Sequence, residues 1–401
     1  MRLINRRNFF PVLGIILLFV YYYISITGYF YAFDETKVAS NKIELIGALE
    51  LVIIISMLMN SHRSYDRVIS AWELLLGAII IITYLLSFVY RLPSFVYYII
   101  VLLPLLVLLF INSIIVRYQK KSIVSVAIAT IVLLGAHYGY QYIQTMSLLV
   151  QDVMITNASY VLLLFLPLAL CADNKIIRYV LMLLIALAVI SSNKRGGTIA
   201  YVLSLFVFLL VKNRASHNEF KMKHLLFSII VVSVSLYYLF SFSEKQSENY
   251  LANRFGQFEE DAGSGRIDAY TTTWEMITSS DFPSLFIGHG WNAVLRDSPL
   301  RLSAHNDFLE VLYDYGLVVF IFYLVLYFRL FTGLKLLIKR HSLYAGQYAC
   351  ALTLFFVLSL VSHIIIYEQI VTIVIIVFSC LIHFDKIDRN ENRNISIPIS
   401  H

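Results

Sequence analysis

The chain has 401 residues, of which 59% are hydrophobic and only 14% charged, against about 25% charged in soluble domains. So little charge cannot cover a water-soluble protein of this length, and Gly, Pro and Cys are too scarce for a disordered, collagen-like or disulfide-stapled chain. The net charge of +6 is spread between apolar runs rather than gathered on one face, which offers nucleic acid no surface and leaves an all-α, polytopic integral membrane protein.

A bilayer crossing takes about 20 apolar residues. Read with that ruler, the sequence predicts about twelve transmembrane helices, at 10–32, 43–60, 70–90, 95–116, 122–143, 158–173, 176–192, 197–211, 224–242, 316–334, 345–366 and 369–384. The first follows Arg2, Arg6 and Arg7 like the basic start of a signal peptide. Its apolar run is too long for one, however, and no small-residue cleavage site follows, so a retained helix is expected. Cys171, Cys350 and Cys380 all fall inside apolar runs, at no disulfide or metal spacing, and read as packing residues.

Lys and Arg bias sets orientation. Arg63 and Arg67, then Arg117, Lys120 and Lys121, then Lys175 and Arg178 fall on alternate connections. Lys212, Arg214, Lys221 and Lys223 continue the pattern, followed by Lys335, Lys339 and Arg340, and by Lys386, Arg389 and Arg393. These connections are predicted to be cytoplasmic, with both termini on the same side. Residues 1–401 then form a single multispanning domain with one outsized connection, 243–315, on the outer face. That loop holds 12 of the 25 acidic residues, and its Trp274, Trp291, Phe282 and Phe286 argue against disorder. A folded cap is expected there, since a long loop in a compact fold is usually functional.

Two stretches of the cap predict helices. From Gly265, the spacing of Ile267, Tyr270, Trp274 and Ile277 buries one face, with Arg266 at the helix start. A second helix is predicted from about His305 to Tyr315, closed by Gly316. On it Asp307, Glu310 and Asp314 share a polar face, while Phe308, Leu309, Leu312 and Tyr315 form the opposite one. His305 falls within the apolar face and aims toward the membrane domain. Such a histidine reads either as a core residue satisfied by its neighbours or as a general base. The dipole at a helix N-terminus disfavours the imidazolium, which keeps the ring able to accept a proton.

Ser192-Asn193-Lys194-Arg195-Gly196-Gly197 predicts a tight outer turn carrying two cations against the topological bias. A lone Lys there snorkels to the interface. Arg beside two glycines reads as an anion site, because glycines let N–H groups approach an oxyanion and the guanidinium fork matches phosphate. Glu50, His137, Tyr138, Gln141, His363 and Glu368 are weaker cavity-lining candidates.

Three elements together resemble the O-antigen polymerase and O-antigen ligase superfamily of bacterial envelopes. They are Lys194-Arg195-Gly196 ahead of a span; Gly265-Arg266 with Trp274, followed by Phe286-Ile287-Gly288-His289-Gly290-Trp291; and His305-Asn306-Asp307-Phe308-Leu309-Glu310 with Gly316. The resemblance implies a glycosyltransferase of GT-C-like fold in the bacterial inner membrane, its site facing the exterior. The implied donor is an undecaprenyl-diphosphate-linked oligosaccharide, and a chain-length regulator protein is a further candidate partner. His305 would be catalytic and Arg195 and Arg266 would bind the diphosphate, with Lys194, Asn306 and Glu310 as additional candidates.

The residue types suit that chemistry. A lipid diphosphate leaves without a general acid if fixed cations take its charge, and a sugar hydroxyl needs a base. No metal-ligand spacing lies near these residues, so neither metal nor other cofactor is expected. The run His305–Glu310 favours a repeat-unit polymerase over a ligase that transfers the chain to lipid A–core. A transporter or flippase of lipid-linked sugars is the reading from another class, but no internal repeat supports it.

Overall fold

The computed structural model describes residues 119–148, 158–192, 194–215, 265–290, 292–364 and 368–395, which are helices and connecting loops with no strand among them. The predicted spans at 10–32, 43–60, 70–90, 95–116 and 224–242, the cap residues 243–264, Glu50 and Trp291 lie outside the described residues.

The other predicted spans contain helix, but that at 158–173 is broken and that at 345–366 stops at Val361. The membrane helices are α1 (Lys120–Leu148), α2 (Ala158–Leu164), α3 (Leu166–Ala169), α4 (Lys175–Ser191) and α5 (Arg195–Ala215). Three cap helices follow, α6 (Arg266–Ser279), α7 (Phe282–Ile287) and α8 (Ala293–Asp297), and then α9 (Asp307–Lys339), α10 (Ala345–Val361) and α11 (Glu368–Ile395). Among the described residues, α5, α9 and the Lys120–Gln144 part of α1 are long and apolar enough to cross a membrane.

The run at 158–173 departs from the single span predicted. It breaks at Phe165, one residue before the short turn α3 that carries Pro167, and Ser159 through Ala172 are all buried. At about 1.5 Å per residue, neither piece spans the roughly 30 Å hydrocarbon layer. The run is the centre of the bundle rather than a lipid-facing helix. Tyr160, Leu162 and Leu163 are among its most buried side chains.

Helices α5 and α10 pack antiparallel along their lengths. A Cβ on Gly346 would stand 2.9 Å from Lys212 Cβ at one end, and one on Gly196 would stand 2.8 Å from Val361 Cγ2 at the other. Small residues at these contacts let two helices approach where no hydrophobic drive from water exists. Cys171, Cys350 and Cys380 are buried free thiols within this packing.

The connections separate to opposite ends of the bundle. At one end Lys120 pairs with Asp173 at 3.4 Å and lies over the Tyr344 ring, while His341 Nδ1–H donates to the Ala215 carbonyl at 3.1 Å. Lys175, Arg178, Lys212, Arg214, Arg340 and Lys386 belong to the same connections and helix ends. Among the described residues, the basic residues that alternate along the sequence therefore gather at one end, and the cap and the 194–197 turn occupy the other.

The cap is built on the first turns of α9, against which α6, α7 and α8 all pack. Its own small core is Ile277, Ala293, Val294, Ala304 and Tyr313. The buried stripe of α6 is Ala269, Thr273 and Ile277, whereas Ile267 and Trp274 face outward, 55% and 54% exposed. The spacing predicted the helix, but the buried face is rotated toward its small residues.

Candidate active site

The site is organised around the break after α10. That helix stops at Val361, Ser362 is extended, and α11 begins at Glu368. A helix end leaves carbonyls without intrahelical donors, and here the cap supplies them. Leu360 O accepts from the Tyr270 hydroxyl at 3.0 Å and from Asn306 Nδ2 at 3.3 Å. Against the same break stands the head of α5. Gly196 abuts Val361, and Gly197 lies against the Tyr160 ring, where an added Cβ would come within 2.9 Å of Cε1. Tyr160 OH in turn bonds Ser362. Arg195 is the first residue of α5 and is buried, between Lys194 and this glycine pair. The N–H groups of a helix's first turn lack intrahelical acceptors, so the head of α5 offers both donors and a guanidinium.

Residues 303–306 form a strap in which each residue is tied down. Ser303 Oγ and His363 Nδ1 are 2.8 Å apart, and Ala304 N–H donates to Glu310 Oε2 at 2.8 Å. The His305 carbonyl accepts from Tyr270 OH at 3.4 Å. Asn306 is the N-cap of α9, its Oδ1 accepting from the N–H of Phe308 at 2.9 Å and of Leu309 at 3.3 Å. His305 itself has φ +51°, a left-handed conformation that non-glycine residues adopt at a cost and that clusters at functional sites.

The helix predicted from His305 therefore starts two residues later, at Asp307. The ring is aimed by the strap rather than by a helical face. The carboxylates expected to share a polar face are all fully buried. Asp307 Oδ2 accepts from Tyr323 OH at 3.3 Å, Glu310 holds the strap, and Asp314 Oδ1 accepts the Val294 N–H at 2.9 Å at the head of α8. Phe308, on the other side, packs among Tyr323, Tyr327 and Phe356.

His305 Nδ1 lies 2.8 Å from His363 Nδ1, the two rings tilted by 45°. Burial, and after it the positive charges of Arg266 and Lys194, push the His305 imidazole down to about 4. Burial likewise pushes His363 down to about 3, with His305, Lys194 and Arg266 adding to it. Both rings are neutral near pH 7. The expected neutrality of His305 holds, but its cause is burial and two cations rather than a helix dipole. The positive charges of Lys194 and Arg266, which are far apart in sequence, are thus both felt by this one pair of imidazoles.

A seam joins this strap to the rest of the cap. α9 kinks at Gly316, with φ +77° and ψ 177°, which frees the carbonyls of Tyr313 and Asp314. The N–H groups of His289 and Gly290 take them at 3.0 and 2.8 Å. Gly288, at φ +89°, lies so close that a Cβ would fall on the Asp314 carbonyl, and a Cβ on Gly316 would fall on that of Phe286. Two of the motif segments read from the sequence thus meet backbone to backbone.

Of the predicted residues, Arg266, His305 and Lys194 converge electrostatically, Arg195 stands beside Lys194 at the head of α5, and Asn306 and Glu310 hold the strap. His137 is buried in α1, and Tyr138 OH bonds Ser191 Oγ at 3.1 Å. The Glu368 side chain lies outside the described residues. Sequence reasoning gave no role to Ser303 or Tyr160 and read Tyr270 only as part of a buried helix face, because one Ser or Tyr among many carries no local signal of a site. No curated protein matches the chain. Residues 180–324, the stretch that contains Lys194, Arg195, Arg266 and His305, match the family model described as O-antigen ligase.

Proposed function

We propose that this protein is an O-antigen repeat-unit polymerase, a membrane glycosyltransferase of GT-C-like, roughly twelve-span architecture in the bacterial inner membrane. It moves a glycan chain from undecaprenyl diphosphate to a sugar hydroxyl of another lipid-linked repeat. The bundle end bearing the cap faces the exterior, since the opposite end collects the basic connections. The observation that carries the reading is a neutral imidazole, His305, held by a fully anchored strap and within the field of the cations Lys194 and Arg266.

In this reaction the acceptor hydroxyl oxygen attacks the anomeric carbon and its proton passes to His305. The bond from that carbon to the diphosphate oxygen breaks, and the electron pair leaves with undecaprenyl diphosphate. Arg195, Arg266 and Lys194 meet the charge that develops on the leaving oxygen, which is how fixed cations lower such a barrier without a metal or other cofactor. Attack from the opposite side inverts the anomeric configuration. Burial, and after it the two cations, holds His305 low in the free protein; bound diphosphate neutralises the cations' share, so the base gains basicity when the donor arrives. Removing one charge-stabilising donor typically costs on the order of 100- to 1000-fold in rate. Arg266→Lys keeps the charge but loses the planar fork, and is expected to fall well short of native activity.

A second reading is favoured by the description of the matching family model: an O-antigen ligase, with the same donor chemistry and lipid A–core as acceptor. Envelope glycolipids from a strain lacking the protein, complemented with the native chain or with His305→Ala, separate the two. Lipid A–core bearing a single repeat and no ladder is expected of the polymerase. Bare lipid A–core with accumulated lipid-linked polymer marks the ligase. A ladder that survives His305→Ala removes the base assignment and reopens the transporter reading.

A further inference from the structure

His363 lies beyond the stretch that matches the family model, yet its imidazole is in hydrogen-bond contact with that of His305, 58 residues away in sequence. We propose that His363 is a positioning residue: its Nδ1 accepts the His305 Nδ1–H, fixing the tautomer that leaves the His305 Nε2 lone pair for the acceptor hydroxyl. The inference rests on the base role given to His305 above and extends it to a residue that does not touch substrate.

Proton counting leads to this arrangement. Two neutral rings with Nδ1 atoms 2.8 Å apart have one proton between them, carried by one ring or the other. If His363 carried it, His305 Nδ1 would be the acceptor, and the His305 proton would sit on Nε2, leaving that nitrogen a donor with no lone pair. Base chemistry at Nε2 therefore requires the proton on His305 Nδ1 and the lone pair on His363 Nδ1. Ser303 Oγ, 2.8 Å from that same nitrogen, shares the lone pair as a second donor and fixes the His363 ring from the strap side. A histidine's function commonly depends on which nitrogen its partner leaves free.

The surroundings favour a neutral partner over a carboxylate in this place. Among the described residues, Lys194 at the head of α5 and Arg266 at the start of α6 bear on His363. A carboxylate here would pair with those cations and compete with a diphosphate for them. An imidazole orients the base and leaves both cations to the donor. Gly196 and Tyr160 close the α5 side of the break, through Val361 and Ser362 respectively.

The test reads the pair without any glycan. Full-length protein in nanodiscs is pulsed with diethyl pyrocarbonate, which acylates an imidazole lone pair, and the extent at His305 is followed by peptide mass spectrometry across a pH series. His363→Leu, which cannot accept the proton, is expected to slow acylation of His305 about tenfold, as loss of one hydrogen bond permits. His363→Asn places an amide oxygen where Nδ1 stood and is expected to stay within about twofold of native. His363→Gln places its oxygen at the Nε2 position and is expected to behave like Leu. Should the Leu variant not fold, the Asn and Gln pair decides alone. Equal His305 reactivity in Asn and Gln variants, or native reactivity in a folded His363→Leu, overturns the proposal. Since no donor is present, a native-like pair in a protein whose His305→Ala variant still makes polymer would refute the base role of His305 and leave the pairing standing.

Discussion

Two pairs of glycines hold this site, and they work differently. Gly196 and Gly197 sit in ordinary helical backbone at the head of α5, and what lies against them is side chain: Val361 and the Tyr160 ring. Gly288 and Gly316 have φ of +89° and +77°, and what lies against them is backbone. The first pair is a packing allowance within an apolar bundle, where a neighbour can shift by a few tenths of an ångström. The second is a conformational requirement, because neither the left-handed dihedrals nor a carbonyl against the glycine can give way. The bundle is held by shape and the cap by stereochemistry and hydrogen bonds.

That contrast breaks most sharply at the seam. Gly316→Ala adds left-handed strain of about 1–3 kcal/mol to a steric conflict with the Phe286 carbonyl, and is expected to cost about 3 kcal/mol or more. Thermal unfolding in detergent measures it, and the cap should detach before the bundle melts. A variant as stable as the native chain would show that the seam is not a requirement. Asp314→Ala comes next: it strands the buried Val294 N–H and is expected to cost about 1–3 kcal/mol, while Asp314→Asn retains an accepting oxygen and costs less. On the bundle side, Gly197→Ala presses a methyl onto Tyr160 and is expected to cost about 1–2 kcal/mol, less than Gly316→Ala. The reverse order would dissolve the distinction.

Protonation probes the place where the two regions meet. His305 and His363 titrate near 6.5 when unfolded but at about 4 and about 3 in the folded chain. The unfolded state therefore binds protons first as pH falls. The stability these rings contribute is fully present above about 6.5 and is lost progressively as pH drops toward 4 and below. The melting temperature is expected to decline across that window, and more shallowly in His363→Asn. The same low value puts the acid limb of kcat/KM near pH 4, and the limb of kcat above it, because bound diphosphate offsets Arg266 and Lys194. Coincident limbs would show that the cations do not meet the donor. The smallest effect belongs to Trp274→Ala: the side chain is 54% exposed and its loss is expected to move stability by no more than about 0.5 kcal/mol.

Much of the architecture was legible because it is periodic. Apolar runs of bilayer length announced α1, α4, α5, α9, α10 and α11, since hydrocarbon demands that each crossing satisfy its own backbone. Only the length of the run at 158–173 hinted at its break into two buried pieces. Lys and Arg sorted the connections into two sets, and those sets are the two ends of the bundle. The candidate site was legible in part: Lys194, Arg195, Arg266 and His305 each carried chemistry unusual for its position. The wheel that aimed His305 was wrong, because Asn306 caps the helix after it. The outward turn of Ile267 and Trp274 shows the same limit, since hydrophobicity marks a face but small residues decide which face another helix can approach.

The sequence by itself determined that this chain is largely helical and apolar enough for a membrane, and where the helices run among the described residues, because those properties are set by composition and by spacing along one segment. Only the tertiary structure decided that His305 meets His363, that buried Glu310 and Asp314 hold the strap and α8, and that Gly288 closes on Gly316. Each of these joins groups on different segments through one hydrogen bond or one close approach. Such a contact leaves no period in the sequence, and it exists only once the apolar packing of the bundle has brought the segments together.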